Sequence, residues 1–102
     1  NLKEYEDALD KVDFVKIDVE GFELDIIIGN ISFFRKFQPT IWFEFNLNEY
    51  LENSNYNIGQ LDDLIRENNY KIYSYKKNTI IKDLSTHLLT YDNIILAKNI
   101  NF

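Results

Sequence analysis

Apolar residues recur along the chain with two different periods, and the switches between them mark the elements. Leu2, Tyr5, Ala8 and Leu9 stand at helical spacing and read as the end of a short helix over residues 2–9. Residues 12–18, running Val-Asp-Phe-Val-Lys-Ile-Asp, are rich in β-branched side chains and predict a strand. The near-continuous apolarity of Val12, Phe14, Val15 and Ile17 predicts that this strand is covered on both faces. From Gly21 the helical period returns, with Leu24, Ile27, Ile28, Ile31 and Phe34 forming one stripe. Gly29-Asn30 predicts an early stop and the start of a second short helix, and Pro39 ends the helical stretch.

Residues 40–46, Thr-Ile-Trp-Phe-Glu-Phe-Asn, predict a second strand, and residues 47–56 a polar and aromatic loop. Asn57, with Gln60 three residues on, is a capping box opening a helix through Leu61, Leu64 and Ile65. Asn68-Asn69 is its left-handed stop. Residues 70–75 alternate with period two as a third strand. A long connection, 77–90, carries a short strand at 79–81, and a last strand covers 93–97. The order is β, α, β, α, β, long loop, β. Helical crossovers make the first three strands parallel. The last has no helix before it and returns antiparallel. The predicted class is α/β, and ligands of such sheets bind outside the carboxyl ends of the strands.

The chain has 102 residues, enough for one small domain, with 45% hydrophobic and 16% aromatic residues to build a core. It opens mid-pattern without an initiator Met, which reads as a processed or truncated segment. The net charge of −6 disfavours nucleic acid and anionic membrane surfaces as partners. No apolar run approaches the roughly 20 residues of a membrane span. Without cysteine there is no disulfide, thiolate nucleophile or Cys-based zinc site, which fits a cytoplasmic location.

Chemistry concentrates in Lys16-Ile17-Asp18-Val19-Glu20-Gly21-Phe22-Glu23. Asp18 ends a strand, Gly21 makes a tight turn, and Glu20, Glu23 and Asp25 sit in or near a helix start. Carboxylates held this close raise one another's pKa, and a divalent cation or substrate amine would relieve them. The alternative is that Glu20 and Glu23 only favour the positive end of the helix dipole. Glu44 shares a strand face with Trp42 near the carboxyl end. It either accepts a proton from a substrate hydroxyl or pairs with a cation on a neighbouring helix. Tyr50 and Tyr56 line a substrate pocket or pack locally. His87, the only histidine, reads as a surface residue in a polar loop.

The block Val12 to Glu23 resembles the FkbM family of S-adenosylmethionine-dependent methyltransferases, which has a hydrophobic strand, Lys-Ile-Asp-Val-Glu-Gly and a following Glu. Gly29, then Pro39 with Ile41-Trp42-Phe43-Glu44, are similar to its next features; the resemblance extends over residues 9–98, more loosely after residue 60. It implies the C-terminal half of a class I, Rossmann-like sheet, with residues 1–102 a partial methyltransferase domain holding strands four to seven. The family's Gly-rich loop and ribose-gripping acid would precede this segment; Gly21, Gly29 and Gly59 do not make such a loop. Positions binding S-adenosylmethionine are therefore not assigned, and the segment alone is expected to be inactive. The resemblance implies O-methylation of a sugar or other small-molecule acceptor. Asp18, Glu20 and Glu44 are the catalytic candidates, and Glu23, Tyr50 and Tyr56 the substrate-binding ones; no metal site is assigned.

Two other classes share parts of this pattern. A metal-dependent phosphohydrolase with a strand ending in Asp-x-Asp is disfavoured, because the second acid here is Glu20 and no Thr follows. A non-enzymatic interaction module would use an open sheet edge, through which the segment is expected to self-associate as a homodimer.

Overall fold

The computed structural model of the chain describes residues 2–87 and 91–98. A single turn of helix, α1 (Lys3–Glu6), stands where a helix to residue 9 is predicted. Strand β1 (Phe14–Ile17) leads into two short helices, α2 (Glu23–Gly29) and α3 (Ile31–Phe37), broken at Asn30 as Gly29-Asn30 predicts. The Asn30 side chain donates to the Ile26 carbonyl at 2.8 Å and accepts from the Leu2 N–H at 3.1 Å, which ties the break to the start of the chain. Gln38 ends α3 in the left-handed region at φ 50°, immediately before Pro39.

Strand β2 (Thr40–Asn46) is followed at once by helix α4 (Leu47–Asn53). This overturns the loop expected over 47–56. The helix starts because the Asn46 side chain accepts from the Glu49 N–H at 3.1 Å. None of its residues is fully buried, so it carries no apolar stripe by which to be recognised. Helix α5 (Ile58–Glu67) opens with the capping box: Gln60 N–H donates to Asn57 at 3.1 Å, and Asn57 N–H to Gln60 at 2.9 Å. Asn69, at φ 59°, is the left-handed residue after it. A hairpin of β3 (Lys71–Ser74) and β4 (Thr79–Ile81) follows, then β5 (Tyr91–Ala97). Residues 88–90 of the predicted long connection lie outside the described residues.

Among the described residues, five strands form one mixed sheet in the order β1-β2-β5-β3-β4. Only β1 and β2 are hydrogen-bonded in parallel; β5 lies antiparallel between β2 and β3, and β4 is antiparallel to β3 at the far edge. Strands β1, β2 and β3 thus run the same way, as predicted, with the antiparallel strand inserted among them.

Register places Ile41, Phe43 and Phe45 of β2 opposite Leu96, Ile94 and Asp92 of β5. Phe43 and Ile94 are fully buried, and Leu24, Ile27, Phe34, Leu61 and Ile65 of the helices complete this core. The opposite face carries Phe14, Trp42 and Ile95. Phe14 is 52% exposed, so β1 is not covered on both faces as its composition suggests. Its ring instead meets Trp42 edge-on at 6.5 Å, and Lys16 lies over the same indole at 5.3 Å. In β3, Ile72, Tyr73 and Ser74 are all buried, so the predicted alternation does not appear in its burial.

Candidate active site

Strands β1 and β2 deliver their carboxyl ends side by side, since Ile17 is the register partner of Phe43. Asp18 follows the first, and Glu44 lies two residues before the end of the second. After Asp18 the chain reverses through two consecutive left-handed residues, Glu20 at φ 50° and Gly21 at φ 99°. Glycine is required at the second: a Cβ there would stand 2.5 Å from the Glu49 carbonyl oxygen. The turn therefore packs directly on the backbone of α4, and Asn53 Nδ2 donates to the Glu20 carbonyl at 3.2 Å.

Glu23, the first residue of α2, is 5% exposed and turns back on the same loop. Its Oε2 accepts from the Gly21 N–H at 2.9 Å. Burial pushes its carboxyl up; its own backbone N–H and that of Gly21 oppose this, while Glu49 and Asp18 add to it. Helix α4 contributes Glu49, whose carboxyl is also raised, first by partial burial and then by Glu20, Glu44, Asp18 and Glu52.

The product is a cleft of about 260 Å³ lined by Asp18, Glu20, Glu23, Glu44, Asn46 and Glu49. Five carboxylates around one hollow complement a cationic or hydroxylated ligand and supply acceptors for a proton. Among the described residues, no group of three or more His, Cys, Asp or Glu side chains is placed to hold a metal ion.

Of the residues singled out in the sequence, the structure brings together Asp18, Glu20, Glu23 and Glu44. It does not bring Tyr50 or Tyr56 to the cleft. Both pack against the core as half-buried side chains, Tyr50 with its ring 5.9 Å from that of Phe45. Asn46 and Glu49 were missed. The signal was present, because Asn46-Leu47-Asn48-Glu49 has the spacing of a helix-capping sequence.

His87 is buried, not on the surface as its polar surroundings suggest. Its Nε2 lies 2.7 Å from Asp92 Oδ2, and both side chains are about 1% exposed. Ser74 Oγ donates to the same carboxylate oxygen, and the Lys76 N–H donates to Asp92 Oδ1 at 2.8 Å.

An α/β sheet with same-direction strands and a cleft at their carboxyl ends is compatible with a Rossmann-like domain. The particular family is fixed by its sequence model: the methyltransferase FkbM domain matches residues 2–72, and the chain belongs to this methyltransferase family. The match takes in β1 to the start of β3 and every cleft residue; the resemblance read over residues 73–98 lies outside it. No curated protein and no solved structure matches the chain. Among the described residues, no helix is long and apolar enough to cross a membrane.

Proposed function

We propose that the acidic cleft is the acceptor side of an S-adenosylmethionine-dependent methyltransferase site acting on a hydroxyl of a sugar or other small molecule. The observation that carries this reading is the convergence of Asp18, Glu20, Glu44 and Glu49 on one hollow within the matched family domain. The donor set fits the charged part of S-adenosylmethionine, a sulfonium and an ammonium, but offers no glycine-rich turn for its adenosine. We therefore assign residues 1–102 to strands four to seven of a class I sheet, β1, β2, β3 and β5 being those four and β4 an added edge strand, with the nucleoside held by elements outside them.

S-adenosylmethionine, when bound, supplies an activated methyl group, so the protein's own task is alignment and proton removal. Asp18 and Glu44, at the ends of adjacent strands, fix the acceptor by accepting hydrogen bonds from its hydroxyls. Glu49 is the proton acceptor of choice, because a carboxyl held above its usual range is the stronger base. Glu20 lends negative potential to the same hollow. Glu23 holds the turn through Gly21 and reaches substrate only through that turn's position.

The test is Asp18→Asn, which keeps size and removes charge, assayed for methyl transfer in a complete domain and for melting temperature. The rate should fall on the order of 10²-fold with little change in melting. Near-normal turnover with lowered melting would refute the role. Calorimetric titration of the 102-residue chain with S-adenosylmethionine should show no micromolar binding; such binding would refute the assignment to strands four to seven.

A second reading, a module that self-associates, is favoured by β1, which forms one end of the sheet and carries the 52%-exposed Phe14. Sedimentation over a concentration series should then show a dimer, and a strict monomer refutes it.

A further inference from the structure

Charge is divided along this chain. Residues 71–102 carry five lysines against two aspartates, while residues 1–70 carry six basic against fifteen acidic residues, together giving the net −6. Three of these lysines, Lys71, Lys76 and Lys77, belong to the β3–β4 hairpin. Because β3 runs with β1 and β2, its turn, Tyr75 to Asn78, emerges at the same end of the sheet as the acidic cleft.

Three observations connect the two. Tyr91, at the start of β5, is the register partner of Asn46, a cleft residue, so both side chains stand on one face. Lys76 Nζ lies 5.5 Å over the Tyr91 ring and donates to the Tyr91 carbonyl at 3.2 Å. The hairpin turn is anchored from below: Asp92 accepts from the Lys76 N–H at 2.8 Å, and Ser74 Oγ from the Lys77 N–H at 3.1 Å. Both lysine ammonium groups are exposed and, among the described residues, neither is in an ion pair. Two adjacent cations on a turn fixed by a buried carboxylate, beside an aromatic face 39% exposed, form a preorganised surface for an anion carried on a ring.

We infer that the acceptor carries an anionic group, a carboxylate or phosphate, which Lys76 and Lys77 hold while its ring lies alongside Tyr91 and its reacting hydroxyl reaches the cleft at Asn46 and Glu44. This rests on the methyl-acceptor reading of that cleft. Two strand spacings separate β2 from β3, about 10 Å, so the ligand is a hydroxylated ring with its anion on the side away from the reacting oxygen. The same polarity explains discrimination: an anion placed in the cleft itself meets five carboxylates, so the ligand binds one way round.

The test is titration of the 102-residue chain, followed by amide chemical shifts, with glucuronate, glucose 6-phosphate, glucose and inorganic phosphate. At least one of the two anionic sugars should bind about tenfold or more tighter than glucose, moving the amides of Asn46, Lys76, Lys77 and Tyr91. Which of the two prevails distinguishes carboxylate from phosphate. The Lys76→Gln/Lys77→Gln double variant, altered only at exposed side chains, should lose that advantage while its spectrum shows an intact fold. Equal binding of glucose, no shift with either anionic sugar, inorganic phosphate binding as tightly as the sugar anions, or an unaffected double variant would each overturn the inference. A complete domain that transfers no methyl group while these anions bind would refute the reading of the cleft and leave the hairpin site standing.

Discussion

Replacing Gly21 by Ala adds one methyl group at the point where the Glu20–Gly21 turn touches α4. Two costs follow from the geometry. The backbone at φ 99° lies where an L side chain is strained, by about 1–3 kcal/mol. The new Cβ would also stand 2.5 Å from the Glu49 carbonyl oxygen and 2.7 Å from its carbon. These are backbone atoms that cannot rotate aside, and overpacking of this kind costs about 1–3 kcal/mol. The sum is about 2–6 kcal/mol, a large part of the roughly 5–15 kcal/mol that holds a small domain folded. At about 4–8 °C per kcal/mol, melting should fall by about 10 °C or more. Gly29→Ala is the control, because nothing lies within 4 Å of its Cβ position and it sits in a helix. That change should stabilise by about 0.5–1 kcal/mol. Urea unfolding followed by circular dichroism and the fluorescence of Trp42, the sole tryptophan, measures both. A Gly21→Ala protein within about 1 kcal/mol of the parent, or one that behaves like Gly29→Ala, would refute the packing of the turn on α4.

The raised carboxyl of Glu49 fixes a sign. Because its folded pKa lies above the ordinary 4.5, the group is without effect well below that value and destabilising once pH rises from about 4.5 through the raised value. Glu49→Gln should therefore raise melting at about pH 7, leave it unchanged at about pH 3, and flatten the pH dependence between; a lowered melting point at about pH 7 contradicts the crowding of acids. Asn57→Ala removes one arm of the capping box on α5 and should cost about 1 kcal/mol in urea unfolding, and an unchanged midpoint would show that the box contributes nothing.

Elements that bury a stripe were legible in the sequence, and elements that do not were not. The apolar spacing of Leu24, Ile27, Leu61 and Ile65 located α2 and α5 because those residues fill the core. Helix α4 buries no residue completely, so its polar and aromatic composition read as loop, and Glu49 was lost with it. Asp18, Glu20, Glu23 and Glu44 were legible as neighbours because a strand end, a tight turn and a second strand end leave few alternatives. What the acids do individually was not. That Glu23 spends its carboxylate on Gly21 depends on two left-handed residues that a sequence pattern does not announce. His87 reads as a surface residue because its partner, Asp92, lies in the next strand, across residues that carry no periodic signal.

That buried pair also bears on how the two charged regions are held apart. Asp92 faces Phe45 in register, one residue from Asn46 and Glu44, yet its side chain points to the opposite face, into the core. A buried carboxylate is tolerated only when its oxygens are satisfied, and here His87, Ser74 and the Lys76 N–H satisfy them. Every one of those donors belongs to the hairpin or the connection after it, and none to the cleft. The interaction therefore fixes β5 to the basic hairpin, while the Gly21–Glu49 contact and the Asn46 cap fix the acidic loop to α4. The β2–β5 ladder joins the two anchors. Damage to the Asp92 anchor should accordingly loosen the lysine turn before it alters the spacing of the carboxylates.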